Sequence, residues 1–184
     1  MDETQKAVQR LKRGDIGGLE TLVARCQARA VRTAFLILQD EAAAQDVVQD
    51  VYLRIYQRIR HFDERQPFEP YLLKSVVHAA LNTNRGRMKS VPLEGDLAEI
   101  ESLLSDGETP EAQAESNQRS QQILAALNKL SPRQRAVIVQ RYYLEMSEKE
   151  MSESLNAAPG TVKWLLNAAR ARLREILNPE RSSQ

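Results

Sequence analysis

SEKEMSESLNAAPGTVKWLLNAARARLREIL, residues 147–177, is the stretch on which the fold turns. Ser147 followed by Glu150 is a capping box, in which the hydroxyl accepts the N–H three residues on and the carboxylate reaches back to the serine N–H. A short helix to about Leu155 follows, then a turn over Asn156 to Gly160, then a longer helix to Leu177. Two helices joined this tightly let the second enter a DNA major groove. Stepping about 100° per residue from Val162, the residues Leu165, Leu166, Ala169, Leu173 and Ile176 gather on one face and are expected to be core. Lys163, Trp164, Asn167, Ala168 and Ala171 point away, and Arg170, Arg172 and Arg174 flank them within reach of phosphates. Trp164 has two readings there: packing against the preceding helix or tether, or apolar contact with a thymine methyl or a protein partner.

Working outward, the same punctuation recurs. Ser131-Pro132-Arg133-Gln134 puts a serine cap before a proline whose missing N–H costs nothing at the first helical position, and predicts a helix to about Tyr143. Thr109-Pro110 opens a long helix to about Leu130. Between Ser90 and Thr109, Pro92, Gly95, Gly107 and a run of carboxylates read as a flexible tether. Leu97, Ile100, Leu103 and Leu104 lie at helical spacing within it; a fraying helix is the reading preferred over a segment that orders in a partner's groove. Four helices precede the tether, over about Glu3 to Arg13, Leu19 to Leu38, Asp40 (as cap) to Arg60, and Tyr71 to Asn84. A loop from His61 to Pro70 separates the last two. The expectation is an all-α chain of two small helical domains joined by a flexible acidic linker. These are residues 1–89, 90–109 and 110–184, with a helix-turn-helix at about 147–176.

Composition narrows the function. The 42% hydrophobic content suffices for real cores, and the 5% aromatic content with no alternating stretch argues against sheet. The longest apolar run, Ala34 to Leu38, is too short for a bilayer and the amino terminus lacks secretory features, so a cytoplasmic protein without membrane contact is expected. Cys26 is the only cysteine and is expected to be buried; His61 and His78, the only histidines, have no metal-ligand spacing. Neither a Gly-rich phosphate loop nor a nucleophile with its base is present, so no cofactor, metal, small-molecule substrate or catalysis is expected. The net charge of +1 conceals a division: residues 1–90 carry +4, residues 91–122 carry −7 and residues 123–184 carry +4. Two basic blocks around an acidic one suit two nucleic-acid-facing modules on a solvated tether.

Two stretches then resemble a known family. Asp46-Val47-Val48-Gln49-Asp50-Val51-Tyr52-Leu53-Arg54-Ile55-Tyr56 resembles the polymerase-binding helix of sigma-two domains. Leu130 to Arg135, with Pro159-Gly160-Thr161-Val162-Lys163 running to Ala169-Arg170, resembles sigma-four. The chain is thereby identified as a member of the extracytoplasmic-function sigma factors of the sigma-70 family. The resemblance implies a transcription initiation factor that binds core RNA polymerase through its clamp helices and flap, recognises promoter DNA, helps to melt it, and is controlled by an anti-sigma factor.

Carried onto this chain, the resemblance assigns polymerase binding to Asp46, Gln49, Asp50, Leu53 and Gln57, the face opposite the stripe Val48, Val51, Ile55 and Ile59. An apolar Leu53 ringed by polar groups has the character of a small anchor with a rim. Minus-ten recognition falls to Asp63, Arg65, Tyr71, Lys74, His78, Arg85 and Arg87, since unpaired bases are held by stacking and by cations along the backbone. Phe62 and Phe68 could stack on a base but are read as core. Minus-thirty-five recognition falls to Thr161, Lys163, Trp164, Asn167, Ala168, Arg170 and Arg174.

The chain departs from the family at Glu69, Tyr71 and His78, where arginine, tryptophan and asparagine are usual. It departs again at Trp164, a usual small polar position, and at Leu165 and Ala168, frequent arginine positions. Fewer cations mean fewer phosphate contacts and a shallower salt dependence. The rival readings are a stand-alone helix-turn-helix regulator, and an interaction protein whose DNA face has decayed.

Overall fold

The computed structural model describes residues 2–83 and 121–177, which are helical with short connections. The chain divides after Thr83 into two compact units. The expected tether, Arg85, Arg87, the start of the helix expected from Thr109, and Leu97, Ile100, Leu103 and Leu104 lie outside the described residues.

In the first unit, α1 (Glu3–Lys12) and α2 (Gly17–Leu38) form a hairpin. Gly14 turns the chain with φ of 90°, a conformation that side chains resist. Gly18 lets the helices meet closely, because a Cβ there would collide with the Ala7 carbonyl oxygen and the Leu11 backbone. Gln39 ends α2 in the left-handed region, and the Asp40 carboxylate accepts the Ala43 N–H at 3.0 Å to start α3 (Glu41–Arg58). A 3-10 turn, Ile59–His61, follows. The last helix of the unit, α4 (Phe68–Thr83), begins three residues before the expected Tyr71. Pro70 thus sits in its first turn, where the missing N–H has no intrahelical partner to lose, and the connecting loop shortens to residues 62–67.

The central helix α2 packs against α1, α3 and α4. Its Leu22, Ala30, Ala34 and Ile37 are buried with Val48, Val51 and Ile55 of α3 and Leu72, Val76 and Val77 of α4. Cys26 is buried as expected, and burial pushes its thiol pKa up. Tyr52, on the same core, has its hydroxyl against the Leu22 carbonyl, and burial pushes its pKa upward as well.

In the second unit, helical residues 121–128 (α5) lead to α6 (Pro132–Ile138) through the expected capping box. Ser131 N–H donates to Gln134 Oε1 at 3.0 Å, and Gln134 N–H donates to Ser131 Oγ at 3.3 Å. The buried Arg135 turns back to donate to the Leu127 and Leu130 carbonyls, satisfying backbone oxygens at the carboxyl end of α5. The helix reaches Tyr143 as expected, but residues Val139–Tyr143 widen into a π-helical turn. The buried Gln140 in that turn donates from Nε2 to Ser154 Oγ at 2.6 Å, fastening α6 to α7 (Glu148–Leu155). Asn156, at φ of 47°, ends α7, and α8 (Pro159–Leu177) packs against both α6 and α7.

Candidate nucleic-acid and polymerase interfaces

The face of α8 is built by the turn before it. Ser147 caps α7 through the Glu150 N–H and is embraced by the Glu150 carboxylate, whose pKa these hydrogen bonds hold low. Ser152 Oγ donates to the Ala157 carbonyl across the turn, so α8 leaves α7 in a defined direction. Thr161, Lys163, Trp164 and Asn167 are exposed along it, Trp164 at 51% of its full surface. About half of the Trp164 surface is thus open, and the alternative of packing against the tether concerns residues outside the described ones.

Ala168 is corrected by the structure: it is 1% exposed, and Ala171 is fully buried. Buried positions occupy two separate arcs of α8, so the helix is covered on more than one side, and a methyl group is short enough to fit beneath each cover. Leu165 and Ile176, expected in the core, are half-buried. Arg170 is also drawn inward. Its Nε and Nη2 donate to Tyr142 Oη at 3.0 and 2.8 Å, and the guanidinium stands 5.9 Å from that ring's centre. Arg174 is half-buried, one turn further along.

On α3, Asp46, Gln49, Asp50, Leu53 and Gln57 are exposed together, while Val48, Val51, Ile55 and Ile59 are buried. Leu53 is 55% exposed. Sequence reasoning missed Tyr56, 44% exposed beside it, because the residue alternates in character between core and surface; its spacing of three from Leu53 was the available signal. Arg54 pairs with Asp50 at 3.6 Å, an exposed contact of small energetic weight.

The loop and α4 form a third surface. Phe62 and Phe68 are core as read, their rings edge to face at 5.9 Å, and Phe62 also lies 4.9 Å from the half-buried Tyr71. Asp63 and Arg65 are exposed, with Asp63 Oδ1 accepting the Arg65 N–H at 3.0 Å. Lys74 is half-buried and His78, one turn on, keeps an exposed edge; partial burial of its ring and then the Lys74 charge hold the His78 pKa below its ordinary value. The acidic Glu69 finds its partner in Arg29 of α2 at 3.4 Å. Among the described residues, no group of three His, Cys, Asp or Glu could hold a metal ion, and no helix is long and apolar enough to cross a membrane.

The family model for sigma-70 region 2 matches residues 22–89, and that for sigma-70 region 4 matches residues 120–173. The chain is 27% identical over 179 residues to the ECF RNA polymerase sigma factor SigW of Bacillus subtilis, covering 94% of this chain and 96% of that one. It is 29% identical over 168 residues to the RNA polymerase sigma-E factor of Streptomyces antibioticus, covering 91% and 88%. Among solved structures it resembles CnrH in complex with the cytosolic domain of CnrY, at a TM-score of 0.64 and 22% identity, over 97% of this chain and 99% of that one. It also resembles the sigma factor RpoE of Bartonella quintana, solved with the anti-sigma factor NepR, at 0.62 and 19%, over 88% and 97%.

Proposed function

The chain belongs to the sigma-70 family, in its extracytoplasmic-function group, and from that premise we propose how its two units divide the work of initiating transcription. It is an alternative sigma factor that binds core RNA polymerase, directs it to specific promoters and assists melting, under the control of an anti-sigma factor. Residues 1–89 act as the sigma-two domain, 90–109 as an acidic linker and 110–184 as the sigma-four domain. One observation carries this reading: regions 2 and 4 follow one another in one chain, region 2 matched over residues 22–89, most of them in the first compact unit, and region 4 over residues 120–173, within the second.

The physical work is binding energy, with all bond-making left to polymerase, so the chain itself performs no catalysis and works in the cytoplasm. The α3 face docks on the clamp. Leu53 and Tyr56 supply the apolar contact, and Asp46, Gln49, Asp50 and Gln57 form a polar rim that excludes water around it. On α8, Thr161, Lys163, Trp164 and Asn167 meet the minus-thirty-five element. Lys163 contributes charge, Asn167 an amide able to bond a base edge, and Trp164 an apolar plane for a thymine methyl. Arg174 reaches phosphate from the flank, while Arg170 holds the helix against Tyr142 and takes part at one remove. Asp63, Arg65, Tyr71, Lys74 and His78, with Arg85 and Arg87, hold the separated minus-ten strand.

Run-off transcription with purified core polymerase on genomic fragments tests this, comparing the natural protein with Asp50→Arg. Defined start sites with the natural protein and none with the variant support both the function and the docking face. Equal initiation by the two removes the docking assignment; no initiation by either, from folded protein, removes the sigma reading.

A further inference from the structure

The loop of residues 62–67 is held from two sides. On one, Phe62 is fixed against Phe68 and Tyr71. On the other, α1 reaches across some fifty residues of chain. Lys12 Nζ donates to the Phe62 carbonyl at 2.9 Å and to Glu64 Oε1 at 2.8 Å. Gln9 Nε2 donates to Glu64 Oε2 at 3.2 Å, so both carboxylate oxygens are engaged by one helix. The Lys12 side chain is only 23% exposed and its bond to the Phe62 carbonyl is part-buried, which shelters that bond from water competition, while the bonds to Glu64 lie in the open. The Lys12 and Gln9 hydrogen bonds also hold the Glu64 carboxyl below the usual carboxylate range. Asp63 and Arg65 flank Glu64 and are tied to one another through the Asp63 side chain.

We propose that α1 is the positioning element of the base-holding loop: Lys12 and Gln9, acting through the Phe62 carbonyl and the Glu64 carboxylate, present Asp63 and Arg65 to the unpaired strand. This rests on the assignment of that loop to the minus-ten strand. A loop left free would lose its backbone freedom at the moment of capture, and that cost would be subtracted from the energy available to hold the strand open. A loop already fixed by α1 and the aromatic cluster avoids it. Lys12 makes two bonds to the loop and Glu64 receives only one of them, so the side chains are unequal. Losing Glu64 leaves the Phe62 carbonyl held, whereas losing Lys12 releases that carbonyl and leaves Glu64 on Gln9 alone.

The test uses the full chain with core polymerase on a promoter fragment, reading permanganate reactivity of unpaired minus-ten thymines and, separately, affinity for core. Lys12→Ala is expected to reduce open complex about tenfold, the equivalent of one charge-assisted hydrogen bond, with core affinity unchanged. Glu64→Ala reduces it less, the double variant loses less than the sum of the two single losses because the Lys12–Glu64 bond is common to both, and Lys12→Arg restores most of the loss. Arg65→Ala, at the loop tip, tests the underlying assignment. If Arg65→Ala abolishes open complex while Lys12→Ala leaves it intact, the loop holds DNA without α1 and the proposal is wrong. Additive losses in the double variant, or a parallel loss of core affinity, reduce Lys12 to a general stabiliser and overturn it. If neither Arg65→Ala nor Lys12→Ala has an effect, the loop assignment itself fails and takes the proposal with it.

Discussion

Ala168 and Asn167 are neighbours on α8 with opposite fates, one buried and one exposed. Ala168→Leu forces three extra carbons beneath a closed cover and is expected to destabilise the fold by about 1–3 kcal/mol, read from the midpoint of urea unfolding. Asn167→Ala is expected to leave that midpoint within about 0.5 kcal/mol while weakening promoter binding in the presence of core, since it removes only a group facing outward. At His78 the depressed folded pKa fixes a sign. The unfolded chain binds the proton more readily, so this contribution to stability is complete above the ordinary histidine value of 6.5 and is lost as pH falls from there through the lower folded value. Melting temperature measured against pH across that range is expected to fall on the acid side, and His78→Asn to flatten that part of the curve. The exposed Trp164 was legible as outward from helical periodicity alone, whereas the burial of Ala168 was not. A helical wheel drawn for one partner cannot register a second covering surface.

Among the helices, punctuation proved more legible than curvature. Asp40, Ser131 and Ser147 cap as their side-chain chemistry dictates, since a short oxygen-bearing side chain next to the first unpaired N–H groups is a local arrangement. Asp40→Ala should cost about 1 kcal/mol, measured as a fall in unfolding free energy at constant denaturant slope. The π-helical turn at Val139–Tyr143 has no such local signature. Its Gln140 donates to Ser154 fourteen residues away in a fully buried setting, with Gln140 Oε1 lacking a partner among the described residues. Ser154→Ala therefore strands a buried amide and is expected to cost about 1–3 kcal/mol, more than Asp40→Ala, because a buried donor loses its only bond without gaining water. Restoring the hydroxyl as Thr is the matching control.

For the whole molecule, the two basic blocks and the exposed residues of α8 bear on how the free protein behaves. With Lys163 the one exposed cation among the α8 residues assigned to the minus-thirty-five element, few counterions are released on docking. Gel shifts on promoter DNA are expected to show weak binding by the protein alone and tight, specific binding with core polymerase, the latter with a shallow dependence on salt. Tight binding without core would instead describe a stand-alone regulator.

By itself the sequence determined the helical class, the division into two blocks, the helix-turn-helix and the buried stripe of α3, because caps, periodicity and breakers are contacts between residues close along the chain. Only tertiary structure decided that Ala168 and Ala171 are covered, that Arg170 bends to Tyr142, that Glu69 answers Arg29, and that Lys12 grips a loop fifty residues away. Those facts depend on which elements meet across the core, and one-dimensional spacing carries no record of such meetings.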